Sequence, residues 1–293
     1  MFEFFANIFG YLLSFLYHFV NNYGLAIILF TVMIKLLLLP LSIKQQKTMK
    51  KSAKLQEKMK IIQFKYKNDP EKMNQEIMSL YKSEKMSPFS GCLTAIIQFL
   101  LLLSIFYLVR NPLTYMEKIA TEDINHYVSQ LQEEGREINK VYPEIDLIRE
   151  YEWLKEKNPE DEKVEKLNLQ MNFLGLDLSK IPQQNMNDYT VYIIPILYIL
   201  SSFISIRMTT AMQAKQTKKE TVIDAETGEK VEKEENEVDA VMQTNKMMSW
   251  MMPIMSISIA FVAPLGLALY WLVSNLLMIG ERIVLDKVIK QED

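Results

Sequence analysis

The chain reads as an all-α integral membrane protein: a five-helix transmembrane bundle with a cytoplasmic helical hairpin and an N-terminal interfacial amphipathic helix. Three observations predict this. Apolar runs of membrane-spanning length alternate with densely charged blocks, although the 293 residues average to a mean hydropathy of zero. The charges are sorted by sign: Ser42–Ser87 holds twelve lysines against five acids, whereas Arg110–Asp188 holds ten basic and seventeen acidic residues. Finally, Lys35 sits alone inside the apolar run Tyr23–Leu41. A lysine at the centre of a span costs roughly 2.5–3.5 kcal/mol on insertion scales, so a charge kept there marks a functional site by default.

Residues 1–22 are apolar, but Glu3, Asn7, Ser14, His18 and Asn21 recur at helical spacing. A polar stripe of that kind suits a helix lying in the membrane interface, although the length also allows a span. Asn21-Asn22-Tyr23-Gly24 is the turn into the first span, 23–42. The basic block 43–88 keeps apolar stripes at Leu55, Met59, Ile62 and Tyr66, then at Met73, Ile77 and Leu80. Asn68-Asp69-Pro70 separates the two stripes, which predicts a helical hairpin. Lysine-rich loops beside spans stay cytoplasmic, and this orients the rest.

Pro88 and Gly91 break the hairpin before a second span at 89–109. The acidic segment 110–188 is expected outside. Its middle, 117–168, reads either as one or two solvent-exposed helices or as a partly ordered charged insert. A third span at 189–208 carries Pro195, Ser201, Ser202 and Ser205, and a flexible cytoplasmic loop fills 209–245. Spans four and five, 246–263 and 264–282, are divided by Ala263-Pro264-Leu265-Gly266, and 283–293 is a cytoplasmic tail. The N-terminus lacks the features of a cleaved secretory leader and is expected outside or at the interface.

One cysteine, Cys92, excludes an internal disulfide, and two histidines exclude a histidine-rich metal site. No phosphate-binding Gly-rich loop and no HExxH occurs, so no cofactor, no small-molecule substrate and no enzymatic activity are expected. What remains at membrane depth is a polar inventory: Thr31 and Lys35, Gln98 and Ser104, the serines of span three, and Ser274 and Asn275. For single serines the plain reading is interhelical packing. For Lys35 it is snorkelling, since Lys44 lies only about 13 Å further along the helix at 1.5 Å per residue. Met242, Met247, Met248, Met251, Met252 and Met255 crowd the start of span four, either as ordinary gap-filling or as an adaptable contact surface.

These stretches together resemble the YidC family of membrane protein insertases. The resemblance rests on Tyr23–Leu41 with its basic residue and closing LLPL, on the hairpin turn Asn68-Asp69-Pro70, and on Ser87–Thr94 followed by Gln98. It continues in Phe173–Ser179 and in the run from Met247 to Asn275. Each motif is loose, but five in order are specific. The resemblance implies a hydrophilic groove, open to cytoplasm and lipid, lined by Lys35, Thr31, Gln98, Ser104, Ser202, Trp271 and Asn275. It implies a recruitment hairpin using Lys47, Lys50, Lys51, Lys54 and Lys58. Expected partners are nascent membrane proteins, the lipid bilayer, the ribosome and the general secretion channel, in a bacterial plasma membrane. At position 35 the family carries arginine; lysine keeps the charge but lacks the planar five-donor fork. Two other readings stay open: a small anion transporter or channel, and an assembly scaffold for membrane complexes.

Overall fold

The computed structural model describes residues 2–66, 69–84, 90–217 and 257–290, and these are almost wholly helical. Packing divides the chain into two units. Residues 1–37, 97–201 and 257–278 form the first, and residues 38–96, 202–256 and 279–293 form the second.

The first unit opens with α1 (Phe2–Val20), which buries Ala6, Phe9, Gly10, Leu13, Leu16 and Tyr17. Its opposite surface mixes the expected polar residues with exposed Phe4, Ile8, Tyr11, Phe15 and Phe19. Asn21 then adopts φ +48°, a conformation that asparagine tolerates, and its N–H closes on the Tyr17 carbonyl. The chain reverses there into α2 (Tyr23–Lys65), whose Leu25 N–H is capped by the Asn22 side chain. α2 runs unbroken through Pro40, so the boundary expected at Ser42 is not a helix end. It is only the point at which leucines give way to lysines along one helix.

Among the described residues, four helices are long and apolar enough to cross a membrane: Phe2–Val20, Tyr23–Thr48, Tyr189–Met208 and Leu265–Asp286. α4 (Ser90–Arg110) adds a shorter apolar stretch, Phe99–Arg110. The chain is therefore a multi-pass membrane protein. The fourth expected span lies mostly outside the described residues, as do the loop 218–245 and the methionine cluster. Only its end, α11 (residues 257–262), precedes α12 (Leu265–Lys290).

The acidic segment is more ordered than its composition suggests. After the short α5 (Pro112–Tyr115) come α6 (Thr121–Glu133), α7 (Pro143–Arg149), α8 (Tyr151–Lys157) and α9 (Glu162–Glu165). They enclose a small core of Tyr127, Leu131, Leu147, Leu154 and Leu167, none more than 1% exposed. Polar contacts fasten it: Tyr127 donates to Asp161 at 2.6 Å, and Gln130 and Asn158 exchange two hydrogen bonds. Arg136 pairs with Glu150 and lies over the Trp153 ring.

A hairpin follows, β1 (Asn172–Phe173) and β2 (Leu176–Asp177), antiparallel with Phe173 opposite Leu176. Its turn residues Leu174 and Gly175 have φ +50° and +81°, the signature of a type I′ turn. Glycine suits that turn; a leucine there costs about 1–2 kcal/mol. Short 3-10 turns at Pro182–Gln184 and Tyr189–Tyr192 lead into α10 (Ile193–Thr217).

Segment 170–180 straps the helix ends of this unit together. The Tyr23 N–H donates to the Gln170 carbonyl at 3.0 Å, Leu265 to Lys180 at 2.9 Å and Gly266 to Leu178 at 3.0 Å. The approach is close: a Cβ on Gly24 would run into the Phe173 ring, and one on Gly10 into the Tyr115 carbonyl.

The acidic segment is tied to α5 by a carboxylate. Glu144, 3% exposed, accepts from the N–H groups of Leu113 and Thr114 at 2.7 and 3.1 Å and from the Thr114 hydroxyl at 2.6 Å. Burial pushes its carboxyl up to about 7 against the pull of these three donors. The folded form therefore holds a proton that the unfolded chain has already released. This contribution is full below pH ~4.5 and falls by on the order of 3 kcal/mol as pH rises through about 7. Thermal unfolding in detergent should show that decline in the native chain, and Glu144→Gln should flatten it. Glu144→Ala leaves two buried amides without an acceptor. It should lower stability by ~2–3 kcal/mol and speed amide exchange at Leu113 and Thr114.

Candidate functional site

The expected groove residues with described side chains fall in two clusters, one on α2 and one between α10 and α12, with Ser104 by itself on α4. Thr31 and Lys35 are four apart on α2 and so share a face. Ile27, Thr31 and Ile34 on that side are buried, whereas Leu25, Leu29, Met33, Leu36 and Leu37 are exposed. Lys35 is half-buried at the edge of the buried face rather than among the outward leucines. A lysine that merely snorkelled along the lipid surface would belong with those leucines. The Thr31 hydroxyl donates to its own helix, to the Ile27 carbonyl at 2.6 Å.

On α10 the same reasoning separates two surfaces. Tyr198, Ser201, Ser202 and Ser205 recur at three- and four-residue intervals and are all buried. Ile196, Leu197, Leu200, Phe203 and Ile204 are exposed. The buried stripe is polar, the inverse of a water-soluble helix and the arrangement expected when the surroundings are lipid. Ser201 donates to the Tyr198 carbonyl at 2.8 Å and accepts from Asn275 Nδ2 of α12 at 2.9 Å. One turn away Trp271 lies against Tyr198, with ring centroids 6.0 Å apart. Asn275 and Trp271 are thus brought onto span three. Their partners Ser201 and Tyr198 belong to the same constellation, and Tyr198 escaped sequence reasoning because a tyrosine in an apolar run carries no distinguishing spacing.

Ser104 on α4 is fully buried, and its hydroxyl donates to the Leu100 carbonyl at 2.7 Å. That is the plain packing role of a serine in a span. Gln98 belongs to α4, but its side chain lies outside the described residues.

In the second unit the basic stretch is helical up to Lys65 and again from Pro70. α3 (Pro70–Ser83) starts with Pro70 at its first position, and the Asp69 carboxylate caps the Lys72 N–H at 3.0 Å. Leu55 is buried, and Met59, Ile62, Tyr66, Met73, Ile77 and Leu80 are partly covered, while Ile61, Phe64 and Met78 are exposed. Lys47, Lys51 and Lys58 are exposed; the side chains of Lys50 and Lys54 lie outside the described residues. Lys58 pairs with Glu84 at 2.5 Å, and this contact holds the Glu84 carboxyl below its usual range. Both ends of that pair are well exposed, so solvent and salt screen it and it adds little to stability.

Taken together, the described polar groups offer hydrogen-bonding surfaces within apolar helices, with Lys35 as the cation inside the leucine-rich part of α2.

Sequence comparison gives this arrangement a context. The family model described as the 60Kd inner membrane protein matches residues 15–292. The membrane protein insertase YidC of Caldanaerobacter subterraneus subsp. tengcongensis is 44% identical over 102 residues, 35% of this chain and 50% of that protein. The protein of the same name from Syntrophus aciditrophicus is 52% identical over 86 residues, 29% of this chain and 16% of its own length. That of Chlorobaculum parvum is 28% identical over 275 residues, 94% of this chain and 35% of that protein. The matched region thus spans half or less of the length of these relatives.

The Ser201–Asn275 bond is testable on its own. Ser201→Ala and Asn275→Leu should each lower resistance to unfolding by about 0.5–2 kcal/mol. A double-mutant cycle in detergent should return a coupling of roughly 0.6 kcal/mol, the mean for interhelical bonds in membranes.

Proposed function

The chain belongs to the 60Kd inner membrane protein family, and from that membership we propose that it is a membrane insertase working without nucleotide hydrolysis. A polar segment of a client chain is held in a hydrophilic groove while the client's apolar helix passes into the lipid. Lys35 is the receptor for acidic client segments, and Gln98, Ser202, Trp271 and Asn275 line the path, with Thr31 and Ser104 packed behind it. The observation that carries this reading is the half-buried position of Lys35 at the edge of the face that buries Thr31, turned from the exposed leucines of α2.

The energetics are compatible with a process that consumes no fuel. Taking one acidic side chain to membrane depth costs roughly 2.5–3.5 kcal/mol. Burying one leucine or phenylalanine of the client recovers about 1.5–3 kcal/mol. Two or three apolar client residues therefore offset one acidic residue, and an ordinary span supplies many more. What must be lowered is the barrier, and a cation met part-way across lowers it for a carboxylate. Because Lys35 presents a compact ammonium in place of a guanidinium fork, its hold on a carboxylate is a point-charge attraction without bidentate geometry.

The exposed Lys47, Lys51 and Lys58, with Lys50 and Lys54, serve recruitment of the ribosome bearing a nascent client, and of anionic lipid headgroups. Charge sorting supports a cytoplasmic side for this hairpin and the C-terminus, in a bacterial cell, and an outer side for the acidic segment.

In proteoliposomes holding only this protein, Lys35→Ala or Lys35→Glu should reduce insertion of a client with an acidic translocated tail several-fold. Lys35→Arg should preserve it, and a client with a neutral tail should respond little. Equal insertion of the acidic-tailed client by Lys35→Ala would sink the assignment of charge capture to this residue.

A further inference from the structure

Several described spans begin at the strap. The first turns of α2 and α12 bond to Gln170, Leu178 and Lys180, and the 3-10 turn Tyr189–Tyr192 that opens the third packs against β2. Asn22 Nδ2 also donates to the Asn172 carbonyl at 2.7 Å, fixing the base of the hairpin at the level where α2 starts. From Asn172 to the turn is only two residues, about 7 Å at strand rise. The polar layer on each side of a bilayer is itself roughly 5–8 Å deep. The hairpin tip is therefore tethered within the thickness of that layer.

What the tip carries is unsuited to water. Leu174, at the strained left-handed position, is 86% exposed. An asparagine or glycine would fit that backbone without strain and would suit an aqueous turn better. Beside it in the fold, Lys180 pairs with Asp188 at 2.7 Å, and Asp188 caps Thr190, which fixes the elbow before the third span. That elbow exposes Met186 and Tyr189, 66% and 85% respectively. Tyrosine with an apolar body and a polar tip is the side chain of membrane–water boundaries.

We propose that the Leu174 hairpin tip, with Met186 and Tyr189, is an anchor that dips into the headgroup layer of the bilayer at this end of the first unit. The partner is lipid, because the tip's tether to the helix starts leaves it at the membrane boundary. A leucine that strains its own turn recovers in the acyl boundary what it loses in backbone conformation. The acidic segment then sits against the membrane at two kinds of place, its helix connections and this separate contact.

The test places an environment-sensitive nitrobenzoxadiazole probe at Leu174→Cys in a Cys92→Ser background, in lipid nanodiscs, with Glu152→Cys as the control on α8. Doxyl lipid labelled near the headgroup should quench the Leu174 probe at least twofold more than the Glu152 probe. Aqueous iodide should show the opposite order. Equal iodide access at the two positions, with no doxyl quenching, would overturn the anchor. So would quenching of the probe by a second labelled copy in place of doxyl lipid, which would make the tip a contact between copies. Leu174→Asn supplies an independent check, since it suits the observed φ and should fold. Its Tm in detergent should be unchanged or higher, while a probe at Tyr189→Cys should lose about half of its doxyl quenching. A lowered Tm would show that Leu174 serves packing and would remove the proposal.

Discussion

A helix leaves its first amide groups without an intrahelical acceptor, and at the edge of a membrane those amides need a fixed partner. In this protein the partner is a strap of backbone, 170–180, whose carbonyls accept from Tyr23, Leu265 and Gly266. Everything in the first unit is organised by that requirement. Gly24 has no side chain so that Phe173 can lie on the helix start, and a Cβ on Gly266 would crowd the Tyr23 ring. Tyr17 of α1 joins by accepting the Gln170 N–H at 2.9 Å. Helices that are far apart in sequence are thereby set at one level before any side-chain packing between their apolar faces is considered.

The parts of this architecture that a sequence displays are those with a local cause. Runs such as Tyr23–Leu41 announce a span by length, and Asp69-Pro70 announces a helix start through a cap that lies three residues from its amide. Charge composition, in contrast, hid the core of the acidic segment. Tyr127, Leu147, Leu154 and Leu167 stand among polar and charged residues in sequence and find one another only in space. Glu144 is the sharpest case, since its acceptor role depends on amides 30 and 31 positions away. Among the polar residues at membrane depth, Lys35 and Asn275 stand out in sequence because each interrupts an apolar run, and the structure gives Asn275 a partner in Ser201. Tyr198 does not stand out, because its role is set by a neighbour on another helix.

The polar residues at membrane depth divide by what their hydrogen bonds already do. Thr31 and Ser104 turn their hydroxyls onto carbonyls of their own helices, and such groups add little to an incoming chain. Asn275 reaches across to Ser201, so its side chain supports the position of α12 against α10 as well as any wet surface between them. Lys35 differs in kind, because no intrahelical carbonyl can neutralise a whole charge. That contrast, rather than the count of polar residues, is why the proposed insertion pathway is centred on one residue.

The strap also has a consequence in time. Asn22 and its partner Asn172 are 150 residues apart in the chain. At a synthesis rate of roughly 5–20 residues per second, about 7–30 s pass between the emergence of the two. The last strap bonds await Leu265 and Gly266, made later still. During that interval the first helix hairpin stands in the bilayer with its connecting end unfinished, and maturation of the protein closes from the far end of the gene back onto its beginning. A newly made copy is thus itself, for some seconds, a membrane protein with an incompletely assembled polar end.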